Sequence, residues 1–121
     1  MEKRLRRLTK RAQFLNANKG IYARKHSFAL QMVKAMPVIN SEKENKPGLG
    51  FTITKRTGNS PERSRIKRRL KAASDICAHL FIDRYDYVLI GRTNALTTPF
   101  NTLINELEKA IAVLHKQQLS N

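Results

Sequence analysis

The sequence contains little that would support a disulfide framework, a membrane span or a cysteine-rich metal site. Its 121 residues include one cysteine, Cys77, which excludes an internal disulfide and a zinc site built from cysteines. Tryptophan is absent, and there are only nine acidic residues. No apolar run approaches the roughly 20 residues that span a bilayer, and no apolar segment of the kind in a secretory signal follows the basic start. We therefore expect a cytoplasmic chain with no membrane partner.

The positive charge is large and is concentrated in one part of the chain. The net charge is +15, and residues 1–71 hold 20 lysines and arginines against four acids, whereas residues 72–121 hold four against five. Such a field destabilises a compact fold unless a polyanion relieves the self-repulsion. Nucleic acid is the partner that this charge favours, because cations that neutralise phosphates release counterions.

The length fits one domain, residues 1–121, with a single modest core. Residues 1–8 are interpreted as a loose basic arm, and Thr9 is interpreted as the cap of a short helix through Phe14. Gly20 is predicted to end this helix because glycine tolerates the left-handed conformation. The candidate site residues of the arm and of the helix start are Arg4, Arg6, Arg7, Lys10 and Arg11.

Alternating apolar residues predict the strands. A brief strand is expected over residues 21–24, and the next has its core face at Phe28, Leu30 and Met32. Residues 37–47 read as a polar connection between two prolines. The following strand places Leu49, Phe51 and Ile53 on one face and Gly50, Thr52 and Thr54 on the other. The continuous apolar run at residues 87–90 is typical of a strand buried on both faces.

Two longer helices are predicted from start signals and apolar periodicity. Ser60 is read as a cap before Pro61 and Glu62, and Thr98-Pro99 repeats the signal. The inner faces are Ile66, Leu70, Ala73, Cys77 and Leu80 in the first helix, and Phe100, Leu103, Ile104, Leu107, Ile111 and Leu114 in the second. Residues 117–121 are expected to fray. The order indicates an α+β sandwich with helices on a small mixed sheet.

The first of these helices carries the densest cluster of cations. Repulsion between cations three and four residues apart destabilises an isolated helix, and a polyanion would offset that cost. Arginine also offers a planar fork that matches phosphate oxygens. The candidate nucleic-acid contacts on this helix are Arg63, Ser64, Arg65, Lys67, Arg68, Arg69 and Lys71.

Residues 48–59, Gly-Leu-Gly-Phe-Thr-Ile-Thr-Lys-Arg-Thr-Gly-Asn, precede residues 63–70, Arg-Ser-Arg-Ile-Lys-Arg-Arg-Leu. This strand, turn and basic helix resemble the signature of the bacterial ribonuclease P protein family. The basic start, Phe14, Phe28 and residues 86–92, Asp-Tyr-Val-Leu-Ile-Gly-Arg, extend the resemblance over nearly the whole chain.

The resemblance implies an α-β-β-β-α-β-α fold with a left-handed βαβ crossover, an exception to the usual rule. It implies that the chain is a subunit of a ribonucleoprotein endoribonuclease, and that a catalytic RNA with Mg²⁺ removes the 5′ leader of precursor tRNA. The partners are then ribonuclease P RNA, one copy per protein, and precursor tRNA. The candidate contacts on the basic helix are then predicted contacts to ribonuclease P RNA. The catalytic centre would lie in the RNA, and no residue of this chain is assigned as catalytic.

A cleft between the first helix and the open sheet face is implied for the single-stranded leader. Single strands bind through cations and aromatic platforms. The candidate cleft residues are Phe14, Tyr22, Gln31, Thr52, Thr54, Lys55, Arg56 and Asn59. Phe14 is equally compatible with a core position, and Tyr22 either stacks on a base or lies at the sheet edge.

Three residues depart from the family pattern. Ser64 replaces an asparagine and offers one hydroxyl instead of an amide. Asn18 and Gln31 occupy positions that are often aromatic, which weakens the expectation of base stacking.

No protein-based active site competes with this interpretation. His26, His79 and His115 are scattered and are read as surface or packing residues, and Cys77 as a small core side chain. Asp83 and Asp86 are read as residues of a turn. The alternatives are a non-enzymatic RNA-binding protein, such as a ribosome-associated module, and a DNA-binding helix protein.

Overall fold

The computed structural model describes residues 5–36 and 45–119. The strands are β1 (Arg6–Arg7), β2 (Ile21–Arg24), β3 (Phe28–Lys34), β4 (Gly48–Thr52) and β5 (Tyr85–Gly91). The helices are α1 (Arg11–Ala17), α2 (Ser60–Ile76) and α3 (Phe100–Leu119). The predicted α+β class and the predicted order of elements are confirmed, with β1 as an addition.

The five strands form one mixed sheet in the order β1-β4-β5-β3-β2. β1 and β5 both pair with β4 in parallel, whereas β3 pairs antiparallel with β5 and with β2. Parallel neighbours need a long crossover, and α2 is the crossover between β4 and β5. The left-handed sense of that crossover stays a prediction.

The main core lies between one face of the sheet and the helices α2 and α3. Phe28, Leu30 and Met32 contribute from β3, and Tyr87 and Leu89 contribute from β5. The helices contribute the predicted stripes, with the following side chains buried: Ile66, Leu70, Ala73, Cys77, Leu103, Leu107, Ile111 and Leu114. The periodicities in the sequence therefore identified the correct faces of these elements.

A smaller apolar cluster lies on the other face of the sheet, beneath α1. Leu8, Ala17 and Val88 are buried there, and Phe14 packs against them. Since Val88 faces α1 while its neighbours Tyr87 and Leu89 face the main core, β5 is covered on both faces, as predicted from its continuous apolar run.

The predicted helix caps are each displaced. Asn59, not Ser60, caps α2, because its side chain accepts from the Glu62 N–H while the Glu62 carboxylate accepts from the Asn59 N–H, both at 2.9 Å. At α1 the N-cap residue is Lys10 and not Thr9, and the Gln13 side chain accepts from the N–H groups of both residues.

The start and end of α3 also differ from the prediction. The Thr98 hydroxyl donates to the Asn94 carbonyl oxygen at 2.8 Å instead of capping the helix. α3 continues through Leu119, so the prediction of a frayed tail is wrong for residues 117–119. Residues 120–121, Arg4 and residues 37–44 of the predicted connection lie outside the described residues.

Gly20 ends the turn after α1 for a reason other than the predicted one. It does not adopt positive φ. Instead, a Cβ at this position would lie 2.1 Å from the Met32 carbonyl oxygen and 2.9 Å from the Val33 Cβ. Glycine is required here because the chain passes directly over β3.

The prediction of a loose arm is wrong for residues 5–8. Arg6 and Arg7 form β1, and the Arg6 guanidinium makes a salt bridge of 2.7 Å with Asp86. Asp86 is 1% exposed and lies within β5, so its assignment to a turn is also wrong. Asp83 is exposed and precedes that strand.

The remaining titratable groups of the core have structural surroundings. His115 Nε2 lies 2.8 Å from the Tyr87 hydroxyl, and burial lowers the pKa of the imidazole. Burial and the nearby Glu108 carboxylate raise the pKa of the Cys77 thiol to about 11, so the thiol is protonated at neutral pH. These contacts agree with the packing roles predicted for both residues.

We expect Gly20→Ala to lower the free energy of unfolding by about 1–3 kcal/mol, the usual range for overpacking. Gly20→Asn separates the two explanations, because asparagine tolerates the left-handed conformation but carries the same Cβ. Urea denaturation should show Gly20→Asn to be at least as damaging as Gly20→Ala. The exposed control Asn101→Ala should change stability by less than about 0.5 kcal/mol. Near-native stability of Gly20→Asn would contradict the close-approach explanation.

Candidate nucleic-acid interface

The outer face of α2 carries a row of exposed cations. Arg65, Lys67, Arg68 and Lys71 are exposed, as is Ser64, while Ile66 and Leu70 anchor the opposite face in the core. Lys71 lies 3.8 Å from the Asp75 carboxylate, an exposed pair of little energetic weight. The row therefore keeps most of its charge available for an external polyanion.

Arg63 and Arg69 differ from this row because both are partly buried. Arg63 Nη2 donates to the Ser60 hydroxyl at 3.0 Å, and its Nε is buried without a partner among the described residues. Arg63 therefore borders the exposed row and does not belong to it.

Arg69 is turned towards the protein. Its Nη1 donates to the carbonyl oxygens of Ala95 and Leu96 at 2.9 Å, and its Nη2 donates to the carbonyl oxygen of Thr98. These carbonyls belong to and follow the short 3₁₀ turn Thr93–Leu96. We therefore remove Arg69 from the predicted RNA contacts, because its donors hold this turn against α2.

The turn between β4 and α2 presents two further cations. Lys55 and Arg56 are exposed within the 3₁₀ turn Lys55–Thr57, and the Thr93 hydroxyl donates to the Thr57 carbonyl oxygen at 2.8 Å. Asn59, predicted in the cleft, instead uses its side-chain oxygen as the cap of α2. The turn thus joins the β4 end to the basic helix.

A groove of about 220 Å³ lies between α1 and the open face of the sheet. It brings together three of the predicted cleft residues, Phe14, Gln31 and Thr52. The lining residues that were not predicted as part of the cleft are Arg11, Leu15, Asn18 and Ile90. Arg11 is one helical turn before Phe14, which is a spacing that the sequence shows. Ile90 could have been found from its alternation with Leu89.

The other predicted cleft residues lie outside this groove. Thr54 is beyond the end of β4, with its hydroxyl 3.3 Å from that of Thr57. Tyr22 lies on the edge strand β2 opposite Gln31, is 55% exposed, and has the Arg24 guanidinium 5.1 Å from its ring centre. The structure places Tyr22 at the sheet edge with its ring open to solvent, and base stacking by Tyr22 stays a prediction.

The Phe14 ring lies both in the small cluster and at the groove, and its role in leader binding stays a prediction. Its ring packs in the small cluster with Leu8 and Val88 and also lines the groove. A Cβ at Gly50 would lie 2.7 Å from this ring, so the ring occupies space that a side chain on β4 would fill. One edge of Phe14 is therefore fixed by packing while the other faces the groove.

The two departures from aromatic residues are in contact with each other. Gln31 Nε2 donates to Asn18 Oδ1 at 2.9 Å on the wall of the groove. The bond uses the NH₂ group of Gln31 and the carbonyl oxygen of Asn18. The NH₂ group of Asn18 and the carbonyl oxygen of Gln31 are left for a ligand. Either orientation of the two amides leaves the same complement. This wall therefore presents hydrogen-bonding groups in place of a second aromatic ring.

A larger open depression lies at the start of α3 and is separate from the groove. Its lining includes Lys25, His26 and Glu106. The Glu106 carboxylate accepts from the Ser27 N–H and hydroxyl, so it serves the loop between β2 and β3. Within residues 5–36 and 45–119, no group of three His, Cys, Asp or Glu side chains could hold a metal, and no helix could cross a membrane.

Comparison with known proteins gives a consistent result. The family model described as ribonuclease P matches residues 2–115. The chain belongs to the ribonuclease P protein family. The ribonuclease P protein component of Brucella suis is 38% identical over 115 residues, covering 91% of this chain and 80% of the relative. That of Bartonella quintana is 34% identical, covering 93% and 85%. Membership implies the ribonuclease P complex, with an RNA partner.

Solved structures of ribonuclease P proteins share the fold. The Staphylococcus aureus protein superimposes with a TM-score of 0.69 at 22% identity, covering 88% of this chain and 93% of that one. The Thermotoga maritima protein gives 0.70 at 19% identity, covering 91% and 96%. The mixed sheet with three helices is therefore the fold of this family.

Arg68→Ala and Arg69→Ala form a matched pair that separates binding from folding. We expect Arg68→Ala to weaken RNA binding and to lower the salt slope by about one, with stability unchanged. Arg69→Ala should lower the free energy of unfolding by about 2–4 kcal/mol, because three carbonyls lose a charged donor. In the folded protein its salt slope should be unchanged. Titrations at several salt concentrations, with urea denaturation alongside, measure both; a reversed pattern would return Arg69 to the interface.

Proposed function

We propose that the chain is the protein subunit that binds ribonuclease P RNA and the 5′ leader of precursor tRNA. The RNA subunit, with Mg²⁺ held mainly by the RNA, hydrolyses the phosphodiester bond between the leader and the tRNA. This reaction releases the mature 5′ end. The chain supplies affinity and orientation and carries no catalytic residue. We place this activity in the cytoplasm, with one protein for each catalytic RNA.

The observation that carries the proposal is the separation of two different surfaces on opposite faces of one sheet. The exposed cations of α2 lie on the side of the main core, and the groove beneath α1 lies on the other side. The first surface suits the phosphates of a folded RNA. The second is narrow, with one half-buried aromatic ring and an amide pair, which suits unpaired bases. Two RNA partners can therefore be held at once.

Cations in the groove and in the turn that follows β4 support the leader as the occupant of the groove. Arg11 lines it, and Lys55 and Arg56 are exposed in the turn that follows β4. Single strands are bound by cations that contact the phosphate backbone beside an aromatic ring on which a base stacks. Ser64, which replaces the family's asparagine, is exposed on α2. Its hydroxyl therefore takes the place of an amide on the RNA-facing side.

Reconstitution tests the proposal directly. The full chain is mixed with a bacterial ribonuclease P RNA and a precursor tRNA at low Mg²⁺, and release of the 5′ leader is followed. We expect stimulation over the RNA alone, because the protein adds substrate affinity that high Mg²⁺ otherwise supplies. Binding of both RNAs without stimulation would favour a non-enzymatic RNA-binding role. Equal competition by duplex DNA at matched salt would favour a DNA-binding role.

Phe14→Ala tests the groove. We expect it to weaken binding of precursor tRNA by about 1–3 kcal/mol, the range for one base stacked on an aromatic ring, and to leave mature tRNA almost unaffected. Phe100→Ala is the matched control, because Phe100 is also half-buried but packs on the main core. It should lower stability without changing the preference for a leader. Equal losses with both tRNAs would make Phe14 purely structural.

A further inference from the structure

The salt bridge between Arg6 and Asp86 crosses an entire strand. In the register of the sheet, Arg6 on β1 pairs with Gly48 on β4, and Gly48 pairs with Asp86 on β5. A Cβ at Gly48 would lie 2.3 Å from Asp86 Oδ1 and 3.1 Å from Arg6 Nη2. The ion pair therefore closes over the one position of β4 where no side chain stands in its way.

Both charges are largely withdrawn from water. The side chain of Arg6 is 16% exposed and that of Asp86 is 2% exposed. Arg6 Nε also donates to the Lys46 carbonyl oxygen at 2.6 Å. The guanidinium is thus engaged within the protein, although it belongs to a segment whose charge suggested RNA binding. Buried ion pairs are weak sources of net stability because desolvation offsets their attraction. The pair is therefore better explained by the geometry that it fixes than by the stability that it adds.

What the pair fixes is the position of β1 on the sheet edge. β1 has only two residues, and its backbone is held by the Arg6 N–H on the Pro47 carbonyl oxygen at 2.8 Å and by the Leu8 N–H on that of Leu49 at 3.0 Å. An edge strand of only two residues has little hold of its own. The side-chain bonds of Arg6 to Lys46 and Asp86 add two further attachments, one of them on the central strand.

Leu8 and Gly50, two positions after Arg6 and Gly48, link the ion pair to the groove. Leu8 follows Arg6 by two residues and is 4% exposed. A Cβ at Gly50 would meet Leu8 Cβ at 3.1 Å and the Phe14 ring at 2.7 Å. Leu8 and Phe14 therefore share the space above Gly50, and a displacement of Leu8 changes the support of the ring that lines the groove.

We infer that the Arg6–Asp86 ion pair is a positioning device for the leader groove. It anchors β1 to β5, so that Leu8 holds Phe14 in place over Gly50. Arg6 and Asp86 act through Leu8 and Phe14 and do not contact RNA. The inference rests on the proposed leader-binding function for its effect on substrate, but its mechanical part concerns the free protein.

The mechanical part is tested without RNA. 4-Fluorophenylalanine is placed at position 14 of the full chain, and its ¹⁹F resonance is recorded. We expect Asp86→Asn to shift or broaden the resonance, and Leu8→Ala to do the same while leaving the ion pair intact. Glu106→Gln is the control, because it weakens a comparable contact, to Ser27, away from the groove. An unchanged resonance in folded Asp86→Asn would overturn the inference.

The effect on substrate is tested by the ratio of affinities for precursor and mature tRNA in the reconstituted complex. Asp86→Asn and Leu8→Ala should each lower this ratio about three- to tenfold, the scale of coupling between residues in contact, and Glu106→Gln should not. In the Phe14→Ala background Asp86→Asn should have no further effect on the ratio. Arg6→Lys should restore part of it relative to Arg6→Met, since it keeps the charge but loses the Nε donor.

The outcomes separate the two proposals. If the unmodified protein shows no preference for a leader, the leader-binding function fails, and the fluorine resonance alone decides the positioning role. If the preference exists but folded Asp86→Asn and Leu8→Ala retain it, the positioning role is overturned while the function stands. Losses that are additive with Phe14→Ala and equal for both tRNAs would also overturn it.

Discussion

The parallel pairing of β4 with β5 is the constraint on which the rest of the structure depends. Two parallel neighbours cannot be joined by a tight turn, so the chain between them must cross the sheet, and α2 makes that crossing. Because of this crossing, the inner face of α2 packs in the main core, and the cations of its outer face are exposed. It also places β5 at the centre of the sheet, where both faces need cover, and α1 supplies the second one.

The arginines show that charge alone does not assign a role. Arg65 and Arg68 are exposed on α2, whereas Arg69, one residue further on, is bound to three carbonyl oxygens. Arg6 and Arg7 are adjacent as well, and only Arg7 is exposed. A guanidinium has five donors in a fixed plane, so it serves equally well to bind phosphates or to collect carbonyls that a turn leaves unpaired. Its neighbours in space decide between the two uses.

Periodicity made much of the fold predictable. The spacing of Ile66 and Leu70 and the alternation of Phe28 and Leu30 each identified the correct buried face. The basic face of α2 followed from the same pattern. Helix starts were displaced, since Asn59 and Ser60 are both good caps and only the backbone geometry distinguishes them.

Contacts between distant residues were not predictable, because periodicity reports a face and not a partner. Arg6 and Asp86 are 80 residues apart, and nothing local in the sequence connects them. The bond between Asn18 and Gln31 depends on how α1 lies across β3. For Gly20 the requirement for glycine was visible, but its cause, the carbonyl of Met32, was not.

The alternate glycines of β4 have a consequence for how stability is distributed between the two faces of the sheet. At Gly48 and Gly50 the strand brings no side chain of its own to the groove face, and the space is filled by Arg6, Leu8 and Phe14. That face is therefore completed by side chains from β1, from α1 and from the residues between them. Among the described residues, no buried side chain of the main core comes from β1 or α1. The face beneath α1 can therefore open locally while the main core stays intact.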